Sequence, residues 1–144
     1  MATAYIDSGR GKVETSQEIA NRERRRHERR LLRAKAFLVL PGHEQHLVRT
    51  LDVSISGMAI VSPFNTQQGV VVTVRFLLPA QFNGHTPISS PATVTHCVYS
   101  GGEDGFKTGL MFKDLPSQIV SLIDSFVKLK DEPFMPVDPV RQLK

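Results

Sequence analysis

The sequence has little cysteine, no tryptophan and no long uninterrupted apolar run. Cys97 is the single cysteine among 144 residues, which excludes an internal disulfide framework and is typical of a reducing compartment. The most apolar stretch, residues 69–80, includes an arginine and a proline and is too short to span a bilayer. Residues 1–20 lack the apolar core of a signal peptide. These absences predict a cytoplasmic protein without a membrane segment.

The sequence also lacks the groupings that catalysis and metal binding need. His43 and His46 lie close together, but no third residue completes a metal-ligand spacing. No Gly-x-Ser-x-Gly elbow surrounds Ser54, so Asp52, Ser54 and His46 do not predict a hydrolase triad. A nucleophilic Cys97 would need a paired histidine and an electropositive pocket, so we predict a small core residue there. We therefore expect no catalytic residues, no metal, no cofactor and no enzyme activity.

Positive charge is concentrated in one short segment. Residues 22–33, called the arginine arm below, contain seven of the chain's 18 Lys and Arg residues. Two glutamates reduce the net charge of the arm to +5, and the other 132 residues have 11 Lys and Arg against 12 Asp and Glu. The body is therefore close to neutral. Such a chain offers one concentrated anion-binding element and no broad basic face.

Composition divides the chain into three parts. Residues 1–21 are polar and are predicted to form a disordered lead. Residues 22–130 form the predicted domain, which begins with the arginine arm. Because the arm has no apolar face before Leu31 and Leu32, we expect it to be mobile without a ligand. Residues 131–144 include three prolines and are predicted to be an extended tail.

Alternation of apolar residues with period two predicts six short strands after the arm. Glycine and proline in residues 81–91 predict a loop, and residues 100–105 predict the turn of a hairpin. Six strands separated by turn signals favour a small antiparallel barrel. The predicted strands are residues 37–40, 47–53, 58–61, 70–78, 92–99 and 107–112.

Beyond Pro116 the apolar residues recur at helical spacing. Proline suits the first turn of a helix, and Lys128 and Lys130 suit the last turn. The predicted helix would cover one open side of the barrel, so the predicted fold is all-β with a C-terminal helix. Its apolar face consists of Ile119, Ile123, Phe126 and Val127, with Leu122 beside them.

Asp52, Ser54 and Gly57 form a second informative cluster, in the segment DVSISG at residues 52–57. On an extended strand, Asp52 and Ser54 would present a carboxylate and a hydroxyl side by side. Gly57 either takes a positive φ or lets another group approach the backbone closely. A carboxylate can accept both N–H donors of a guanine edge, and an arginine fork fits phosphate or guanine O6 and N7. The arm and this cluster together complement a guanine nucleotide.

The two clusters resemble the paired motifs of the PilZ domain. Arg25 to Arg29 (RRHER) is similar to the RxxxR motif, and residues 52–57 are similar to (D/N)xSxxG. Residues 109–112 (GLMF) resemble a common strand ending in the family, and the resemblance covers about residues 22–130. PilZ domains are bacterial receptors for cyclic di-GMP, built as a six-stranded antiparallel barrel with a C-terminal helix. The resemblance therefore implies that fold and that ligand.

The resemblance also implies a role for each matching residue. Arg25 and Arg29 would bind phosphate and guanine edges. Asp52 and Ser54 would surround one guanine, while Gly57 would shape the turn beneath it.

Two positions outside the motifs acquire a role from the same resemblance. An arginine at the position of Arg24 tends to accompany a stacked pair of ligands in the family, with its guanidinium against a base. The resemblance therefore implies two cyclic di-GMP molecules per protomer. His96 lies where many PilZ domains have a tryptophan on the fifth strand, and imidazole stacks more weakly.

The register of RxxxR within the arm stays open. Arg26 fits the motif with Arg22 on one side or with Arg30 on the other. We prefer Arg25 and Arg29, because residues 23–29 resemble the usual Glu-Arg-Arg-Arg-aromatic-x-Arg form of the family.

These patterns favour a cyclic di-GMP receptor over two other functions. The ligand would neutralise the arm and order it against the barrel near Asp52 and Ser54, which would create a surface for an unidentified downstream protein. A nucleic-acid-binding barrel with a basic arm is the second hypothesis, and the near-neutral body and scarce aromatics count against it. A PilZ-like interaction module that binds no nucleotide is the third, and the retained arginines count against it.

Overall fold

A computed structural model describes residues 15–16, 27–80 and 84–129. Most of the predicted lead, the first five residues of the arginine arm and the predicted tail lie outside the described residues. The described strands are β1 (Arg30–Leu31), β2 (Lys35–Val39), β3 (Gln45–Val53), β4 (Gly57–Ser62), β5 (Val71–Ala80), β6 (Gly84–Ser100) and β7 (Gly105–Phe112), and the C-terminal helix is α1 (Ser117–Lys128).

Six strands close into an antiparallel barrel. The order around it is β3-β2-β5-β6-β7-β4, and β4 pairs again with β3 to complete the ring. β1 adds a short pairing at the end of β3, where Arg30 lies opposite Val53 and Leu31 opposite Asp52. The predicted all-β barrel with a C-terminal helix is confirmed.

The core fills the barrel interior and continues beneath α1. Apolar side chains alternate along the strands, so that Met58 and Ile60 on β4 are fully buried while Ala59 between them faces outward. α1 packs against β5 and buries Ile123, Phe126 and Val127, as its helical spacing predicts. No helix in the described ranges is long and apolar enough to cross a membrane. Other fully buried side chains are Leu38, Val53, Val74, Phe76, Leu78, Val94 and Leu110.

The hairpin β5–β6 is longer than predicted. Residues 84–91, expected within a loop, form the first half of β6 and pair with β5. The carbonyl of Pro91 accepts a hydrogen bond from the Lys113 N–H at 2.9 Å, on the side away from β5. Pro87, four residues earlier, has the same orientation. The nitrogen of each proline, which carries no hydrogen, therefore faces away from β5, and no hydrogen bond between β5 and β6 is lost. The sheet therefore tolerates the two prolines that indicated a loop.

The chain between β1 and β2 is fixed to β3 by Thr50. Its hydroxyl accepts from the Ala34 N–H at 3.0 Å and donates to the carbonyl of Leu32. The Leu32 N–H donates to the Leu51 carbonyl at 2.9 Å, and the Leu32 side chain is buried. The expectation of an arm without any anchor is therefore wrong for its last four residues.

Candidate ligand-binding site

Arg29 and Asp52 meet at the end of β3. Because β1 pairs with the last residues of β3, Arg29, just before β1, lies beside Asp52. The Nε of Arg29 donates to Asp52 Oδ1 at 3.0 Å, and its Nη2 donates to the same oxygen. The side chains are 23% and 27% exposed, so the ion pair is only partly hydrated. We call Asp52 and the turn of residues 54–57 the rim.

One donor of Arg29 has no partner in the described part of the chain. Its Nη1 is buried and donates to no acceptor there, although the other two nitrogens donate to Asp52. An unsatisfied buried donor costs about 1–3 kcal/mol. The geometry therefore gives Arg29 a remaining N–H group that an anion could satisfy, in a fork suited to phosphate.

Ser54 shapes the turn and does not face the solvent. β3 ends at Val53, and the Ser54 side chain is fully buried. Its hydroxyl accepts from the N–H groups of Ser56 and Gly57, both at 3.2 Å, while its own N–H donates to the Gly57 carbonyl at 2.8 Å. The expectation that Ser54 presents its hydroxyl beside Asp52 is therefore wrong, because the chain turns before Ser54 can share the strand face.

Gly57 is required by a close approach between strands. Among the glycines of the described residues, positive φ occurs at Gly42, Gly69 and Gly84, and not at Gly57. A Cβ on Gly57 would lie 2.0 Å from the carbonyl oxygen of Leu110 on β7. The sequence allowed either a positive φ or a close approach of another group at Gly57, and the structure shows the close approach.

A row of residues runs across the outer face of four strands from the rim. Asp52 lies opposite Ala59, Ala59 opposite Gly109, and Gly109 opposite His96. Ala59 and Gly109 are small, and we call them the floor. Three inter-strand steps of about 4.8 Å separate the backbones of Asp52 and His96 along the curved barrel wall, and Ala59 and Gly109 form the surface between them.

His96 covers part of this floor. A Cβ on Gly109 would lie 2.2 Å from His96 Cε1, so the imidazole occupies the space above the glycine. The Oγ1 of Thr95 lies 3.1 Å from His96 Nδ1 and helps to fix the ring. The imidazole of His96 thus lies on the outer side of the barrel wall, three strands from Asp52.

Arg30 points toward α1 and away from Asp52. Its Nη1 donates to the carbonyls of Phe126 and Leu129, each at 2.9 Å, and its guanidinium lies 4.3 Å from the centre of the Phe126 ring. In the alternative register that pairs it with Arg26, Arg30 would therefore have to leave these contacts to reach a ligand at the rim. Four arm arginines, Arg22, Arg24, Arg25 and Arg26, lie outside the described residues.

A pocket separates the start of the described arm from the helix. It has a volume of about 280 Å³ and lies between His27 and Glu28 on one side and the last turns of α1 on the other. Ile55 of the rim lines it as well. The arm therefore does not pack continuously on α1.

A second charged cluster joins the arm to the hairpin β6–β7. Glu103, in the turn of that hairpin, accepts from two nitrogens of Arg33 at 3.3 Å each and lies 3.5 Å from Arg49 Nη1. The hydrogen bond from Arg33, together with the charges of both arginines, holds the pKa of the Glu103 carboxyl below its usual range. This cluster is not predictable from the sequence, because no spacing pattern connects three residues that only the barrel brings together.

His46 and Cys97 contact neighbouring side chains and do not form a metal site in the described part of the chain. Within the described ranges, no three His, Cys, Asp or Glu side chains come together as metal ligands. His46 packs edge-on against Phe64 with 4.6 Å between ring centres. The Cys97 sulfur is half-buried, accepts from the Thr66 N–H at 3.3 Å and lies 3.3 Å from the Thr108 hydroxyl.

Comparison with known protein families identifies most of the described chain. Residues 23–129 match the family model of the PilZ domain. This range includes the rim, the floor, all seven described strands and α1. Among curated proteins, none matches the chain.

Two solved structures are similar in fold. The Bacillus subtilis inhibitor of motility MotI/DgrA aligns with a TM-score of 0.62 at 15% identity, over 71% of this chain and 49% of that protein. The Borreliella burgdorferi PlzA protein, solved in complex with c-di-GMP, aligns with a TM-score of 0.52 at 15% identity, over 76% of this chain and 45% of that protein. This chain spans about half the length of each. At such identities the likeness shows the fold.

Proposed function

Because this chain belongs to the PilZ domain family, we propose that it is a cyclic di-GMP receptor that acts through binding and not through catalysis. The supporting observation is the partly hydrated pair of Arg29 and Asp52 on the rim. These two groups offer a guanidinium fork to a phosphate and a carboxylate to a guanine edge. PlzA, a protein of the same fold, was solved with c-di-GMP bound.

Binding exchanges one set of charge-assisted hydrogen bonds for another. The ligand phosphate accepts from Arg29, including the Nη1 group that has no partner in the described chain. Asp52, released from Arg29, accepts from N1–H and N2–H of guanine. Arg29 exchanges a carboxylate for a phosphate, and Asp52 exchanges the guanidinium for two neutral N–H donors, so neither charged group stays buried without a hydrogen-bond partner.

The floor and His96 complete the guanine site. The purine face lies on Ala59, where a larger side chain would obstruct it, because the imidazole of His96 already covers Gly109. His96 borders the far side of the ring. Ser54 and Gly57 contribute indirectly, because they set the shape of the turn that holds Asp52 at the end of β3.

The remaining arm arginines bind the rest of the ligand. Arg25 pairs with Arg29 on the phosphates, and Arg24 stacks on a base of a second cyclic di-GMP molecule. Neutralising these charges orders the start of the arm on the rim. The ordered arm then offers a surface to a downstream protein, through which the signal passes.

Isothermal titration calorimetry with cyclic di-GMP tests this function. Binding is expected at or below tens of micromolar for the unmodified chain, and Arg25→Ala and Arg29→Ala should abolish it. Asp52→Ala should weaken it about 10- to 100-fold, because it leaves guanine donors unpaired. Arg75→Ala is the matched control, since Arg75 is half-buried on β5, outside the proposed site, and its side chain binds Gln45 at 2.8 Å.

Two results would contradict the proposal. No heat of binding at tens of micromolar would show that cyclic di-GMP is not the ligand, and normal binding by Asp52→Ala would show that the rim is not the guanine site. A parallel titration with RNA at two salt concentrations tests the nucleic-acid hypothesis, which requires affinity that falls steeply with salt across many sequences.

A further inference from the structure

Two consecutive arm residues bind different parts of the fold. Arg29 binds Asp52 on the rim, and Arg30 binds the end of α1. Neighbouring side chains on an extended segment point to opposite sides, and Arg30 begins the strand β1. A single step along the backbone therefore connects the proposed ligand site with the helix.

The contact between Arg30 and α1 satisfies groups that the helix cannot satisfy itself. The carbonyls of Phe126 and Leu129 lie at the C-terminal end, where the last four carbonyls of a helix lack intrahelical partners. A cation there also interacts favourably with the helix dipole. Both hydrogen bonds are partly buried, and the guanidinium also packs on the Phe126 ring, whose side chain is in the core.

Arg30 bridges the arm and the helix just where the two elements otherwise separate. Immediately before it, the pocket of about 280 Å³ lies between His27, Glu28 and α1. Immediately after it, β1 is fixed to β3 through the pairing of Arg30 with Val53 and of Leu31 with Asp52. The contact between Arg30 and α1 thus lies where the strand-paired part of the arm begins.

From this arrangement we propose that Arg30 is a positioning residue, which holds Arg29 at the rim and couples ligand binding to the last turn of α1. The inference rests on the proposed function. It adds that ligand binding at the rim affects the last turn of α1 through Arg30. The ligand, through Arg29, and the end of α1, through Arg30, both bind the arm in the same position. Ligand binding therefore stabilises the contact between Arg30 and α1, and that contact stabilises ligand binding. The two effects have the same size. If the ligand stabilises the contact between Arg30 and α1 by a given factor, loss of that contact must lower the affinity for the ligand by the same factor.

Hydrogen–deuterium exchange and calorimetry on the full chain test this coupling. Cyclic di-GMP should slow amide exchange in residues 126–129 about tenfold in the unmodified chain and less than about twofold in Arg30→Met. Arg30→Met should also lower the affinity about tenfold, the effect of losing charge-assisted hydrogen bonds. Arg30→Lys, which can reach one carbonyl, should restore part of both effects. Arg75→Met, with the same loss of charge, should behave as the unmodified chain.

The outcomes separate this inference from the proposed function. If the unmodified chain does not bind cyclic di-GMP, both fail. If it binds, but Arg30→Met binds equally well with the same exchange response, the inference alone is overturned. If Arg30→Met lowers the melting temperature while the ligand still protects residues 126–129, the role of Arg30 is structural and the inference is again overturned.

Discussion

Gly57→Ala should destabilise the barrel strongly, because the added methyl group would meet the backbone of a paired strand. Gly57 lies opposite Met111, where β4 pairs with β7. The new Cβ would lie 2.0 Å from the Leu110 carbonyl oxygen, 3.1 Å from the Leu110 carbonyl carbon and 3.2 Å from Met111 Cα. None of these atoms belongs to a side chain that could rotate away, so the two strands must separate locally.

The expected cost follows from that separation. Overpacking a well-packed site costs about 1–3 kcal/mol. The displacement also strains the hydrogen bond from the Phe112 N–H to the Ser56 carbonyl, now 3.0 Å long, which adds about 1 kcal/mol. The free energy of unfolding should therefore fall by about 2–4 kcal/mol, which corresponds to a melting temperature lower by roughly 10 °C for a domain of this size.

Thermal and urea unfolding followed by circular dichroism would measure this change. Gly101→Ala is the matched control, because a Cβ there meets no atom within 4 Å and Gly101 is not among the glycines with positive φ. We expect the control to change the stability by less than about 0.5 kcal/mol. If Gly57→Ala proves as stable as Gly101→Ala, the close approach of β4 and β7 does not exist and the shape assigned to the rim is wrong.

The remaining predictions concern stoichiometry and pH. Calorimetry should give two cyclic di-GMP molecules per protomer, and Arg24→Ala should reduce this to one; a ratio of one for the unmodified chain would refute the role of Arg24 alone. The pKa of Glu103 is lowered in the folded state, so its contribution to stability is complete above its ordinary value near 4.5 and is lost as the pH falls through the lowered pKa. Melting curves between about pH 3 and 7 should therefore show a smaller acid-induced loss for Glu103→Gln than for the unmodified chain, and identical pH profiles would exclude this ion pair as a source of stability.

The fold could be predicted largely from local pattern. Alternation of apolar residues located the six barrel strands, and helical spacing located the buried face of α1. The sequence predicts a loop at residues 84–91, because proline weakens a strand on propensity alone. The strand tolerates these prolines because Pro91 is turned away from β5, and its carbonyl accepts a hydrogen bond from the Lys113 N–H. That orientation depends on pairing between segments distant in the sequence.

The candidate site was predictable in its composition and not in its contacts. Asp52 and Arg29 were both selected from motifs, and the structure places them together. Strand periodicity predicts that Ser54 shares a face with Asp52, but the strand ends at Val53 and the periodicity does not reach Ser54. The helix contact of Arg30 and the arginine pair on Glu103 join residues 54 or more positions apart, which no local rule relates.

Thr50 marks the end of the arm segment that a bound ligand can displace. Its hydroxyl binds the backbone on both sides of Arg33, at Leu32 and Ala34, from within the barrel wall. Displacement of the arm by an occupant of the rim must therefore stop before β2. The heat-capacity change of binding should accordingly reflect surface covered outside the barrel, while the hydration of the interior stays constant.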